Sequence, residues 1–230
     1  MHTTRLDDGP DPFDVTVLGD REAATTVLFA VGSGGDPARH HGLLSVLAES
    51  GCLVIAPHAE PVLTPMPTEG QLVRRSRRLR LALDAFVAPD APVAGVGHSI
   101  GASVLLAMAG GHMWMRAGRQ VAIVEDARLS RLLLLAPPTG FFWAPGSLDA
   151  VRAPVLAWGG TADTITPPEQ LKVLERGLRD RAPVALRVTD GAGHFSFMDV
   201  LPPQREDPLP DRAAFLASLA GATRNFVHST

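Results

Sequence analysis

The pentapeptide Gly97-His98-Ser99-Ile100-Gly101 directly follows the apolar run PVAGV and opens the apolar run SVLLAMAG. A turn this sharp between a strand and a helix leaves no room for a side chain at either glycine position, and it holds the serine hydroxyl clear of the sheet. The helix N-terminus behind the serine favours negative charge developing nearby. Ser99 is therefore the candidate nucleophile. A structural turn of small residues is the plain alternative, and the strand before and helix after weigh against it. The other Gly-Ser pairings, Gly32-Ser33-Gly34 and Gly146-Ser147, lack this setting.

A serine hydroxyl needs a base to take its proton, and the base needs a partner that fixes its tautomer. Of the eight histidines, His2 and His228 lie near the ends and His40 and His41 fall in an early helix. His58 follows an early strand, His112 follows the helix after Ser99, and His98 adjoins the serine itself. His194 differs. It stands in Asp190-Gly191-Ala192-Gly193-His194-Phe195, after the last expected strand, where glycines let a loop return over the sheet edge. For the acid, the run PVLAW leads into Gly159-Gly160-Thr161-Ala162-Asp163, putting Asp163 at a strand end, where α/β sites gather. Capping a turn before Pro167 is its alternative role. Asp190 and Asp199 are rivals, but each lies awkwardly close to His194 in sequence.

These residues need a scaffold, and periodicity supplies one. Short apolar runs mark strands at Val15–Leu18, Val27–Val31, Leu53–Ala56, Val93–Val96, Leu132–Ala136, Val155–Trp158 and Leu186–Val188. Continuous apolar runs of this length suit a mostly parallel sheet covered on both faces. Helices alternate with them. Asp36 and Pro37 start one that ends near Gly51, and Thr68 with Gln71 forms a capping-box pattern for the next. On that helix Leu72, Ser76, Leu79, Leu83 and Phe86 share one face, so Arg74, Arg75, Arg77, Arg78 and Arg80 are expected on solvated faces. Further helices are expected at Ile100–Ala109, Pro168–Asp180 and Asp211–Phe226. The expectation is a single α/β domain over residues 1–230, a mostly parallel central sheet flanked by helices.

Composition narrows the function classes. The 230 residues are 46% hydrophobic and 20% charged, with a formal net charge of −3, values of a folded chain without global attraction to nucleic acid or anionic lipid. Lys172 is the only lysine, and the arginines are spread along the chain. Cys52 is the only cysteine, which excludes an intrachain disulfide and a Cys-based zinc site. The uncharged stretch Ala91–Met115 has the length of a membrane span, yet it contains Pro92, His98, Ser99 and His112 and divides into strand and helix. The opening MHTTRLDDGPDPFD has no apolar leader core, so a cytoplasmic location is expected, without a membrane or nucleic-acid partner.

The order Ser99, Asp163, His194, with GHSIG, GGTAD and GAGHF at the ends of successive strands, resembles the α/β-hydrolase superfamily over nearly the whole chain. VGSGG, APPTGFFW and HFSFMD narrow the likeness to dienelactone hydrolase-like proteins related to platelet-activating-factor acetylhydrolases. Dienelactone hydrolases use a cysteine nucleophile where this chain has serine, so lactone cleavage does not carry over. The resemblance implies a cofactor-free and metal-free enzyme acting on a small-molecule ester. The backbone N–H of Ile100, directly after the nucleophile, is one candidate oxyanion donor. By resemblance the second comes from the loop Gly32-Ser33-Gly34-Gly35, with Ser33 first and Gly34 second. That loop ends without Lys-Ser/Thr, so it is not a nucleotide-binding P-loop. Only residues Pro137 to Pro154 separate two strands where many relatives carry a lid, so the lid is minimal. Trp114, Phe141, Phe142, Trp143, Phe195, Phe197 and Met198 lie on loops near the same strand ends and suggest an apolar pocket for short-chain or compact esters. Gly34, His98, Phe142, Trp143 and Phe195 are the candidate pocket residues. The leading reading is ester hydrolysis through an acyl-enzyme. The alternatives are acyl transfer, thioester or amide hydrolysis or perhydrolysis on the same residues, or a non-catalytic ligand-binding protein.

Overall fold

The apolar runs assemble into one sheet. The computed structural model describes residues 1–229. Its eight strands are β1 (His2–Leu6), β2 (Phe13–Leu18), β3 (Thr25–Ala30), β4 (Cys52–Pro57), β5 (Val93–His98), β6 (Leu129–Leu135), β7 (Val155–Gly160) and β8 (Val184–Thr189). They lie in the order β1-β2-β4-β3-β5-β6-β7-β8. β2 runs antiparallel to both β1 and β4, and every other pairing is parallel. All seven expected strands are present, with no end moved by more than three residues. β1 was not expected: its polar residues pair through the backbone with β2 and bury little.

Five α-helices cover the sheet: α1 (His41–Glu49), α2 (Glu69–Phe86), α3 (Ile100–Met108), α4 (Leu171–Leu178) and α5 (Arg212–His228). The central strands are buried on both faces, so alternate residues serve opposite layers. On β3, Val27 and Phe29 pack with Leu44 and Leu47 of α1 and Leu219 of α5. Leu28 and Ala30 face Leu72 of α2, Leu105 of α3 and the layer that includes α4. Truncating a side chain as enclosed as Leu28 would cost about 2–5 kcal/mol.

Local signals set the helix starts. Asp36 accepts from the Ala38 N–H and begins a short 3₁₀ turn, Pro37–His40, ahead of α1. Thr68 and Gln71 form a reciprocal capping box at α2. The apolar face of α2 is as expected, with Leu72, Ser76, Leu79 and Leu83 buried.

Its arginines require a correction. Arg75 and Arg78 are buried, at 7% and 6% exposure, while Arg77 is on the surface. Arg78 donates to Asp8 Oδ2 at 2.9 Å and to the Asp11 carbonyl at 2.9 Å, tying the β1–β2 turn to α2. Arg77 bonds the other oxygen of Asp8 at 2.6 Å. Burial pushes the Asp8 carboxyl up, but the two guanidinium groups outweigh it and hold it below the usual carboxylate value.

Residues Ala91–Met115 become β5, α3 and a turn, as expected, and among the described residues no helix is long and apolar enough to cross a membrane.

Candidate active site

Ser99 sits between β5 and α3 with φ 53° and ψ −128°, a conformation that non-glycine residues rarely adopt. Its N–H donates to the Leu135 carbonyl at 2.8 Å, and its own carbonyl accepts from Ala102 N at 3.0 Å, so sheet and helix both enforce the turn. The two glycines are required by contact. A methyl group on Gly101 would lie 2.2 Å from the Ala30 carbonyl oxygen, and one on Gly97 would lie 2.8 Å from the Ala102 nitrogen.

The strand ends bring the three sequence-predicted residues together. Ser99 Oγ lies 3.0 Å from His194 Nε2, across 95 positions of sequence. His194 Nδ1 lies 2.8 Å from Asp163 Oδ2. With Nδ1–H donating to the carboxylate, Nε2 is free to accept from the serine hydroxyl. All three are nearly enclosed, at 8%, 7% and 3% exposure.

The loop carrying His194 is stapled at several points. Gly193 N donates to Ser196 Oγ at 2.9 Å, and that hydroxyl donates to Asp207 at 2.6 Å. Arg212, at the start of α5, forms an ion pair with Asp207 at 2.9 Å and donates to the carbonyls of Met198 and Asp199. Asp199 Oδ2 accepts from Gly42 N at 2.9 Å, which holds the first turn of α1. The run HFSFMD is thus largely a fastening for His194. Its Phe197 is 1% exposed and packs edge-on against Phe215 at 5.3 Å.

Asp163 is fixed equally well. Its Oδ1 accepts from the N–H groups of Ile165 and Thr166, both at 2.8 Å, and Thr166 Oγ1 donates to Oδ2 at 2.7 Å. Burial raises the carboxyl, but the hydrogen bonds from His194 and Thr166 outweigh it and keep Asp163 below its usual value. Thr166 is a site residue that sequence reasoning missed. Its spacing three residues after an aspartate was the available signal. The rivals have other work: Asp190 accepts from Thr161 at 2.9 Å, and Asp199 caps α1.

On the donor side, Ile100 is the first residue of α3, so its N–H has no partner within the helix. The Gly32–Gly35 loop approaches Ser99 closely: a methyl group on Gly32 would lie 3.3 Å from Ser99 Cβ. Ser33 and Gly34 are exposed there.

The pocket residues divide. Trp143 is 56% exposed, with Trp114 beside it at 6.2 Å, and Phe195 is half-buried and edge-on to His194. Phe142 is in the core with Phe141, packing beneath Gly111, and Met198 is buried as well. His98 has no exposure and so has no surface to offer a ligand. Instead it packs, tilted, between His40 and His194, with ring centroids 5.1 and 5.0 Å away. Its Nε2–H donates to the His194 carbonyl at 3.0 Å. His40 donates from Nδ1 to the Phe197 carbonyl at 3.2 Å. Burial holds both rings neutral, with His40 lowered to about 4 and His98 well below its ordinary value.

A second serine–histidine contact lies at the N-terminal edge of the strands, where Ser50 Oγ is 3.3 Å from His228 Nε2. Ser50 donates to the Leu47 carbonyl at 2.8 Å, and the other ring nitrogen of His228 is 3.4 Å from Thr25 Oγ1. A threonine hydroxyl in that place cannot stabilise an imidazolium as a carboxylate does, and Ser50 closes a helix rather than standing at an elbow. Among the described residues no group of three or more His, Cys, Asp or Glu side chains is placed to hold a metal ion.

The eight-stranded mixed sheet with its flanking helices is an architecture shared with many solved structures. An α/β serine hydrolase homologue from Coxiella burnetii is 17% identical, with 98% of this chain and 96% of that one covered and a TM-score of 0.64. The chain has the α/β-hydrolase fold. The propionate-bound esterase Est2 of Thermogutta terrifontis is 15% identical, covering 98% of this chain and 93% of that one at a TM-score of 0.66. A thioesterase domain from the curacin biosynthetic pathway is 15% identical, covering 96% and 99% at a TM-score of 0.64. No family model matches the chain, and no curated protein sequence matches it.

Proposed function

We propose that the protein is a serine hydrolase that cleaves carboxylic esters through an acyl-enzyme. The observation that carries this reading is the line from Ser99 Oγ to His194 Nε2 at 3.0 Å and from His194 Nδ1 to Asp163 Oδ2 at 2.8 Å, anchored on a strained turn. His194 takes the proton as Ser99 attacks the ester carbonyl. Ionised Asp163 holds the ring and stabilises the imidazolium. The N–H groups of Ile100 and Ser33, with Gly34 beside them, stabilise the oxyanion. His194 then returns the proton to the leaving alcohol, and activates the water that releases the acid.

Trp143, Phe195 and Gly34 form the mouth of the acyl or alcohol pocket, and the substrate is a short-chain or compact ester. The propionate bound by the Thermogutta esterase supports that size class. Thioester cleavage is the second reading, favoured by the likeness to a thioesterase domain. VGSGG, APPTGFFW and HFSFMD support the narrower likeness to dienelactone hydrolase-like proteins. The chain acts as one domain in the cytoplasm, without a cofactor.

Labelling with a fluorophosphonate probe tests the reading. Wild type should label at Ser99 and Ser99→Ala should not, with hydrolysis of p-nitrophenyl acetate falling at least about 10³-fold. Labelling that persists in Ser99→Ala, or moves with Ser50→Ala, would overturn it.

A further inference from the structure

Arg75 is a buried guanidinium that meets only carbonyl oxygens. Its Nη1 donates to the Val31 carbonyl at 3.2 Å and the Gly32 carbonyl at 3.1 Å, and its Nη2 donates to the Glu60 carbonyl at 2.7 Å. The Glu60 carboxylate is engaged elsewhere, by Arg74 at 2.7 Å. Burying a charge is costly, and three well-placed acceptors offset that cost here. Burial lowers Arg75 to about 10, so it stays protonated at neutral pH.

Peptide geometry gives these bonds a consequence. Among the described residues no peptide bond is cis, so the C=O of one residue and the N–H of the next point in opposite directions. Arg75, together with the Gly35 N–H at 3.2 Å, fixes the Gly32 carbonyl and with it the Ser33 N–H on the opposite side. The next peptide is held in the same manner: the Ser33 carbonyl accepts from Val62 N at 2.8 Å, which orients the Gly34 N–H. A further bond, Ala59 N to the Gly35 carbonyl at 2.9 Å, laces the same two loops together. Arg75 lies behind this junction, lining a small cavity with Val31, Ala59, Gly101 and Val104.

We infer that Arg75 is a positioning residue for the oxyanion hole. It aims the Ser33 N–H at the oxygen that becomes charged when Ser99 attacks. Its positive charge also polarises the Gly32–Ser33 peptide, making that N–H a stronger donor. Lysine is a poor replacement, because one ammonium cannot span three diverging carbonyls as a planar fork does. This inference rests on the proposed hydrolase reading.

The test compares wild type with Arg75→Lys, Arg75→Met and Arg75→Ala on p-nitrophenyl acetate, with melting temperatures measured alongside. Arg75→Met should lose roughly 10–100-fold in kcat, a misaimed donor costing up to what a deleted one does, while KM changes less than about threefold. Arg75→Lys should fall between Met and wild type. Added guanidinium should restore part of kcat to Arg75→Ala and leave wild type unchanged. A folded Arg75→Met with wild-type kcat, or a loss confined to KM, would sink the inference. If the Met and Ala variants do not fold, wild-type kcat in Arg75→Lys does the same. Failure of the hydrolase reading looks different: wild type itself is neither labelled at Ser99 by the fluorophosphonate nor active, and the role of Arg75 falls with it.

Discussion

Thr166 Oγ1 lies 2.7 Å from Asp163 Oδ2 and 3.0 Å from His194 Nδ1, so one hydroxyl touches both partners of the bond that orients the imidazole. The same oxygen lies 3.1 Å from the Ala136 carbonyl, just past the end of β6, a second acceptor for its one proton.

Thr166→Val keeps the shape and removes the hydroxyl. Asp163 then loses one of its hydrogen bonds, and the carboxylate gains freedom to swing from the ring. We expect kcat to drop about tenfold, with KM little changed and the fold retained. Thr166→Ser should recover most of the loss. Equal kcat in Thr166→Val and wild type would show that the backbone N–H groups alone suffice to hold Asp163.

The buried histidines make stability depend on pH. His40 is lowered to about 4 in the folded protein, against an ordinary 6.5. Between those values the unfolded chain takes up a proton that the native one refuses, so this stability is complete above 6.5 and lost as pH falls. At pH 4 the loss is about 3 kcal/mol from His40. His98 adds a loss of the same sign. Asp36, Arg39 and His98 are the ionisable groups near His40. Urea midpoints from pH 7.5 to 4.5 should fall more steeply in wild type than in His40→Asn, which retains a donor for the Phe197 carbonyl. Parallel slopes would remove His40 from the account.

Arg78 and Asp8 form a buried ion pair at 2.9 Å. Removing Arg78 leaves the buried Asp8 with Arg77 alone, and neutralising Asp8 leaves Arg78 with the Asp11 carbonyl and the Glu60 carboxylate at 3.7 Å. Arg78→Ala should therefore destabilise by about 1.5–3 kcal/mol, the worth of hydrogen bonds to a charged group, and Asp8→Asn by less, since the amide still accepts one hydrogen bond. Chemical denaturation checks both. Wild-type stability in Arg78→Ala would mean that water enters and solvates Asp8.

The strand–turn–helix around Ser99 is legible in the sequence because both glycines are demanded by contacts within that segment and its immediate neighbours. The positions of Asp163 and His194 are legible because parallel strands deliver their following loops to one edge. Other features need tertiary information. β1 has too few apolar residues to register as a strand, being held by backbone pairing. Arg75 stands three positions after Leu72 and four before Leu79, which is core spacing on α2. Residue type argues for solvent, and only the fold shows that carbonyls wait for it. Phe197 and His98 read as pocket residues by proximity in sequence, yet strand-end geometry turns them inward.

Arg75 and Arg78 lie three positions apart on α2, one gripping the loop over Ser99 and the other the turn after β1. A single rod thus joins the N-terminal hairpin to the site of chemistry. Load applied at the N-terminus, by a fused domain or attachment to a solid support, travels along that rod. α5 belongs to the opposite layer, and its Arg212 holds carbonyls of the loop that carries His194, so load at the C-terminal end reaches the base instead.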